Sequence, residues 1–157
     1  MSLEKVKAYF EKIGATEPIL EFSVSSATVA LAAEALGCEE KRIAKSLTFK
    51  EGENGCIMVV AAGDAKVDNA KFKEAFKIKA KMPAFDEVEA LCGYAAGGVC
   101  PFDVNDNVKV YLDVSLKRFE TVFPACGSSN SAVELTLERL KQYSNYIEWV
   151  DVCKAWQ

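Results

Sequence analysis

The 157-residue sequence contains no histidine. Imidazole is therefore absent as a general base, a general acid and a metal ligand. This excludes Ser-His, Cys-His and Asp-His catalytic arrangements, and any zinc site with a histidine ligand. The six cysteines are Cys38, Cys56, Cys92, Cys100, Cys126 and Cys153, and no two are spaced as CxxC. A zinc ribbon or a thioredoxin-like redox site is not expected. Neither Gly-x4-Gly-Lys-Ser/Thr nor GxGxxG occurs, so the common phosphate-cradling loops are missing. No apolar run approaches the roughly 20 residues that cross a bilayer. The opening segment, Met1-Ser-Leu-Glu-Lys-Val-Lys7, is charged and amphipathic, unlike a secretory signal. The expectation is a cytoplasmic protein with no membrane contact and reduced thiols. Most of these thiols then serve as small core residues.

Half of the residues are hydrophobic and 27% are charged. That suits one domain over residues 1–157. A chain of this length can bury roughly 70% of its unfolded surface. Lys and Arg number 19 against 23 Asp and Glu, for a net charge of −4. Such a balance does not suit general binding to a nucleic-acid backbone, and DNA is not expected as a partner. One basic stretch runs against the trend. Lys66, Lys71, Lys73, Lys77, Lys79 and Lys81 face only Asp68 and Glu74. The pattern fits a solvated helix face followed by a lysine-guarded edge strand. The alternative is a local contact with a nucleic acid.

Leu3, Val6, Phe10 and Ile13 recur at helical spacing up to Gly14, which predicts an amphipathic first helix. A short strand is expected over Ile19 to Val24. Thr28 is placed to cap a helix from Val29 to Leu36, stopped by Gly37. Ser46 to Lys50 and Cys56 to Ala62 read as a hairpin around Glu51-Gly-Glu-Asn-Gly55. The second of these strands is apolar throughout, so burial on both faces is expected. Asp68, Asp86 and Thr136 are placed to cap three further helices. Strands are expected from Val108 to Leu112 and from Thr121 to Pro124. Strands mingle with helices without regular βαβ alternation. That predicts an α+β domain: a mixed, mostly antiparallel sheet curled into a barrel-like core with flanking helices.

Six of the nine glycines fall at helix ends or turns; Gly97, Gly98 and Gly127 have no evident structural task. Glycine lets a backbone approach a ligand closely with its N–H groups turned outward. The Gly97-Gly-Val-Cys-Pro-Phe102 segment puts two such residues before a proline, although an ordinary turn would carry the same pattern. Lys45 shares a strand face with Leu47 and Phe49. An inward lysine at the mouth of a strand is unusual; it either lines a site or snorkels out from the strand end. With no histidine, a Cys100 thiolate would need Lys45 or a helix terminus to activate it, so Cys100 reads as a spectator thiol rather than a nucleophile. Asp113 reads as a cap for Ser115–Phe119 in preference to a site carboxylate.

A wider set of residues is similar to a known family. It comprises Ser26-Ala-Thr-Val-Ala-Leu-Ala-Ala-Glu-Ala-Leu-Gly37, Ile43-Ala-Lys-Ser-Leu47 and Val60-Ala-Ala-Gly-Asp64. It continues with Gly93-Tyr94, Gly97 to Phe102, Tyr111-Leu-Asp113, Gly127 and Glu134-Leu-Thr136. In this order, over most of the chain, they resemble the YbaK/EbsC family of free-standing aminoacyl-tRNA deacylases, relatives of the editing domain of prolyl-tRNA synthetase. The resemblance implies hydrolysis of the ester that joins a wrong amino acid to the 3′ end of a tRNA. It implies no metal, no cofactor and no covalent enzyme nucleophile; a group on the substrate helps the attack. It assigns Lys45, Gly97 and Gly98 to catalysis. It places Thr28, Val99, Cys100, Pro101, Phe102, Gly127 and Ser128 against the substrate. The implied partners are the aminoacyl-tRNA 3′ end and prolyl-tRNA synthetase. Asp103 stands where many relatives have glycine. Ala125-Cys126-Gly127 stands where cysteine-specific members tend to have Ser-Gly-Gly. Cysteine, alanine or another small residue therefore remains open as the removed amino acid. The alternatives are a non-catalytic module that binds the tRNA end or a synthetase, and a Cys100-dependent hydrolase.

Overall fold

Strand β3 (Gly55–Ala62) lies at the centre of the molecule, and Cys56 through Ala62 have no solvent exposure. The structure is a computed structural model and describes residues 2–156. A strand without polar side chains can sit only between two neighbours and beneath cover on both faces. On one side β2 (Ile43–Glu51) pairs antiparallel with β3, from Ala44 opposite Ala62 to Glu51 opposite Gly55. On the other side β5 (Val108–Asp113) runs parallel to it. β6 (Thr121–Pro124) adds to β2, β8 (Leu135–Thr136) to β6, and β9 (Trp149–Val150) to β5. The resulting six-stranded mixed sheet curls into a half-barrel, as expected for the α+β class. Three of its five neighbouring pairs are parallel and two are antiparallel. Within this sheet antiparallel pairing is confined to the long β2/β3 hairpin and the short β6/β8 pair. Parallel neighbours need longer connections, and the segments between β3, β5 and β9 supply them.

Two small sheets flank the main one. β1 (Ile19–Glu21) pairs with β7 (Ser131–Val133), and β4 (Lys66–Val67) pairs with β10 (Cys153–Lys154). β1 is shorter than the Ile19–Val24 expectation because the chain leaves the ladder after Phe22. The short strands β4, β7, β8, β9 and β10 have no period of their own and exist through their partners.

Five α-helices lie among the described residues: α1 (Ser2–Ile13), α2 (Val29–Leu36), α3 (Asn69–Phe76), α4 (Val88–Cys92) and α5 (Leu137–Ser144). Side-chain caps begin three of them where the sequence places them. Thr28 Oγ1 accepts from Leu31 N–H at 3.2 Å, Asp68 Oδ1 from Lys71 N–H at 3.0 Å, and Thr136 Oγ1 from Arg139 N–H at 3.2 Å. Each cap satisfies a first-turn amide that the helix itself leaves without a partner. Asp86 does not cap the fourth helix. It lies inside a 3₁₀ turn, Phe85–Glu87, and the Glu87 carboxylate instead accepts from Ala84 N–H at 2.9 Å. No strand follows α3 through Lys77–Lys81; the chain there is irregular, and Lys50 N–H donates to Lys81 O at 2.7 Å to tie it to the sheet.

The core joins the sheet to the helices through aromatic contacts. Phe72 packs between Phe49 and Phe76, with ring centroids 4.6 and 4.7 Å away. Phe10 meets Phe102 edge-on at 5.2 Å. Among the described residues, no helix is long and apolar enough to cross a membrane.

Candidate active site

Lys45 is the third residue of β2, opposite Ala61. Its stem follows the strand face that Leu47 and Phe49 share. Its ammonium turns to the loop after β3, where Nζ donates to Ala65 O and, at 3.4 Å, to Gly63 O. Partial burial lowers its pKa from the ordinary lysine value, opposed by the nearby Cys153 and Asp64. The 63–65 loop is itself anchored. Ala65 N–H closes a turn onto Ala62 O at 3.0 Å. Arg118 grips Asp64 with two bonds, 3.0 and 2.6 Å, and that guanidinium holds the Asp64 carboxyl below its usual range. Ala62 N–H donates to Ser115 Oγ at 3.1 Å. Ser115 N–H in turn donates to the fully buried Asp113, which also accepts from Val152 N–H at 2.9 Å. Asp113 is thus a cap, as its position in the sequence suggests, and it ties the C-terminal strand to the floor beneath Lys45.

Lys45 opens onto a cavity of about 310 Å³. Its walls come from the first half of β2, the start of α2, the 96–99 loop and the turn between β6 and β7. Thr28, Lys45, Gly97 and Val99 of the predicted residues line it. Sequence reasoning missed Ser26, Ser131, Met82, Val88 and Phe123, which line it too. The polar run Ser128-Ser-Asn-Ser131 is a local hint for Ser131; Met82 and Val88 carry no such hint.

The glycines without an evident task have structural ones. Gly97 and Gly127 adopt φ of +93° and +91°, a region that L side chains rarely enter. A Cβ on Gly98 would lie 2.8 Å from the carbonyl of Gly127 and 2.9 Å from Ser128 Cα. The two loops touch through backbone, and only glycine permits that approach. Gly98 N–H donates to Ala95 O at 3.0 Å and is therefore not free for a substrate. Among the described residues, the amides of Gly97 and Val99 have no protein acceptor. They are the loop's candidate donors.

Gly98, Cys100, Pro101, Phe102, Gly127 and Ser128 do not line the cavity. Cys100 and Phe102 are fully buried core residues, so direct substrate contact is closed to them. Apolar burial pushes the Cys100 thiol up to about 12, opposite to what a nucleophile needs. Pro101 lines a second cavity, of about 290 Å³, together with Tyr9. Ser128 Oγ bonds Asn130 Oδ1 at 3.0 Å and Ser131 Oγ at 2.6 Å, behind the wall that Ser131 presents.

The half-barrel fold, with a lysine and a glycine loop among the residues lining one small cavity, is accompanied by a sequence of the aminoacyl-tRNA editing class. Residues 24–143 match the aminoacyl-tRNA editing domain, and the chain belongs to that YbaK/EbsC-type family. It is 50% identical over 157 residues, the whole of both chains, to "Uncharacterized protein YwhH" of Bacillus subtilis. It is 27% identical over 114 residues to "Putative Cys-tRNA(Pro)/Cys-tRNA(Cys) deacylase EbsC" of Enterococcus faecalis, covering 72% of this chain and 70% of that one. A crystal structure of "a putative trans-editing enzyme for prolyl tRNA synthetase" superposes with a TM-score of 0.86 at 28% identity, covering 98% of this chain and 97% of the other.

Proposed function

We propose that the protein is a trans-editing hydrolase: it cleaves the 3′ ester of a tRNA mischarged with a small amino acid such as cysteine or alanine, on tRNA-Pro. The observation that carries this reading is that Lys45, Gly97 and Val99 all line one cavity of about 310 Å³. Water adds to the ester carbonyl carbon. The carbonyl oxygen becomes an oxyanion, and backbone donors aimed at it stabilise it by about 3–4 kcal/mol each in well-studied sites. The intermediate collapses with cleavage of the bond to the ribose oxygen, which takes up the proton. Lys45 supplies a fixed cation for the phosphate or ribose oxygens of the terminal nucleotide. A substrate hydroxyl or thiol assists the water, so the chain itself need supply no imidazole. The cavity is near the lower end of the range for small-molecule sites. It must admit part of the terminal adenosine as well as the aminoacyl group, which favours a small side chain. The family likeness to a protein named for Cys-tRNA(Pro) supports the same substrate class, and it makes prolyl-tRNA synthetase the expected partner.

The test is release of free amino acid from alanyl-, cysteinyl- and seryl-tRNA on several tRNA bodies. The expected result is turnover of at least one small aminoacyl group on tRNA-Pro. Tight binding with no ester loss across the panel would instead identify a binding module. Cys100→Ala is expected to retain wild-type deacylation within about twofold, since a buried thiol with a raised pKa cannot be the nucleophile. Loss of turnover in a folded Cys100→Ala protein would restore the cysteine mechanism.

A further inference from the structure

Phe85 is 82% exposed, the most exposed large hydrophobic side chain among the described residues. It is also rigidly mounted. The 3₁₀ turn that carries it is closed by the Ala84 N–H to Glu87 bond. Glu87 is then fixed to β2 by Lys50 Nζ at 2.9 Å, and Lys50 N–H holds Lys81 O at 2.7 Å. Met82, 59% exposed, lies between these two ties and lines the mouth of the cavity. Phe85 is three residues along the chain from Met82, so its backbone is within about 10 Å of this rim, and it does not itself line the cavity. Lys77, Lys79 and Lys81 are exposed on the segment leading to it and have no carboxylate within ion-pair distance among the described residues. Lys50 neutralises Glu87, which leaves Asp86 as the one unpaired acid of the turn.

We propose that this rim is a stacking platform for single-stranded RNA: Phe85 takes the face of an unpaired base next to the terminal nucleotide, while Lys79 and Lys81 meet its phosphates. The inference rests on the reading of the cavity as the seat of a tRNA 3′ end. Aromatic faces flanked by cations are the general device for holding unpaired nucleotides without reading their sequence. Two apolar side chains make too small a patch for a stable protein interface, and the neighbouring lysines match a phosphate backbone.

The probes are an uncharged RNA hairpin ending in an unpaired CCA and the same hairpin with a blunt end, titrated against the full-length protein. Phe85→Ala is expected to weaken binding of the overhanging hairpin about 5- to 100-fold and to leave the blunt hairpin unchanged. Phe85→Trp is expected to retain binding, with its indole fluorescence quenched by the overhang. On charged tRNA, Phe85→Ala is expected to raise KM and leave kcat unchanged. Equal binding of the overhang by wild type and Phe85→Ala would overturn the proposal. So would an equal loss on both hairpins, or Phe85-dependent self-association with unaltered RNA binding. Failure of the deacylase reading looks different: wild type would bind the overhang through Phe85 and hydrolyse no ester. That result upholds the platform and rejects the chemistry.

Discussion

Lys45→Ala is expected to lower deacylation by about 100-fold or more while leaving the fold intact. Removing one fixed charged or polar donor from a water-poor site typically costs two to three orders of magnitude in rate. The fold should survive because Lys45 is only half-buried and its two bonds go to loop carbonyls. An under-satisfied carbonyl costs about 1–3 kcal/mol, less than the stability of an ordinary domain. Lys45→Met keeps the stem and removes the charge, and the same loss is expected from it. Lys45→Arg is not expected to restore activity, since a planar fork does not reproduce a point charge held by two carbonyls. The sign of the pH dependence follows from burial. The pKa of Lys45 is lowered, so the cation disappears at a lower pH than in an ordinary lysine. The rate above the Lys45→Met background should therefore fall as pH rises toward the alkaline range. Wild-type turnover in Lys45→Ala, measured on charged tRNA with circular dichroism as the folding control, would remove Lys45 from the chemistry.

Gly63→Ala is expected to be the most destabilising single methyl addition, by about 3 kcal/mol. Gly63 has no left-handed φ, so alanine is not excluded by backbone conformation. The obstacle is contact. A Cβ would lie 2.0 Å from Glu40 O and 2.8 Å from Val29 Cγ1. The nearer atom is backbone, which cannot rotate away as a side-chain tip can. Overpacking of this kind typically costs 1–3 kcal/mol and occasionally more. The loop would have to separate from the segment joining α2 to β2, taking with it Gly63 O and Ala65 O, the two acceptors of Lys45. Activity should therefore fall along with stability. A urea titration is expected to show the midpoint lowered by about 1–2 M with an unchanged slope. An unchanged midpoint would show that Gly63 and the Glu40 carbonyl do not meet as described.

The boundaries of several elements were legible because their causes are local. Thr28, Asp68 and Thr136 each cap a helix through an amide three residues on. The hairpin at Gly52 and Gly55 and the all-apolar run of β3 also act over a few residues. Lys45 could be singled out for the same reason, since a period of two places it on one face with Leu47 and Phe49. Asp86 shows the limit of such reasoning. It has the right residue type for a cap, but Glu87 reaches Ala84 N–H and its own salt bridge with Lys50 at the same time. That second partner lies 37 positions away.

The site divides along the same line. By itself the sequence determined that the chain brings no imidazole to any chemistry, that a lysine shares a strand face with Leu47 and Phe49, and that the Gly97-Gly98 segment is unusual. Those are properties of composition and short-range pattern. Only the tertiary structure decided what several glycines do, because Gly63 and Gly98 are explained by backbone that is distant along the chain. It placed Cys100 and Phe102 in the core, gave the Gly98 amide to Ala95, and brought Met82, Val88 and Ser131 to the cavity. It also created β9 and β10, two-residue strands that no local period announces. Close approach and burial depend on which distant segments meet, and a sequence window carries no record of its partner until the chain has folded.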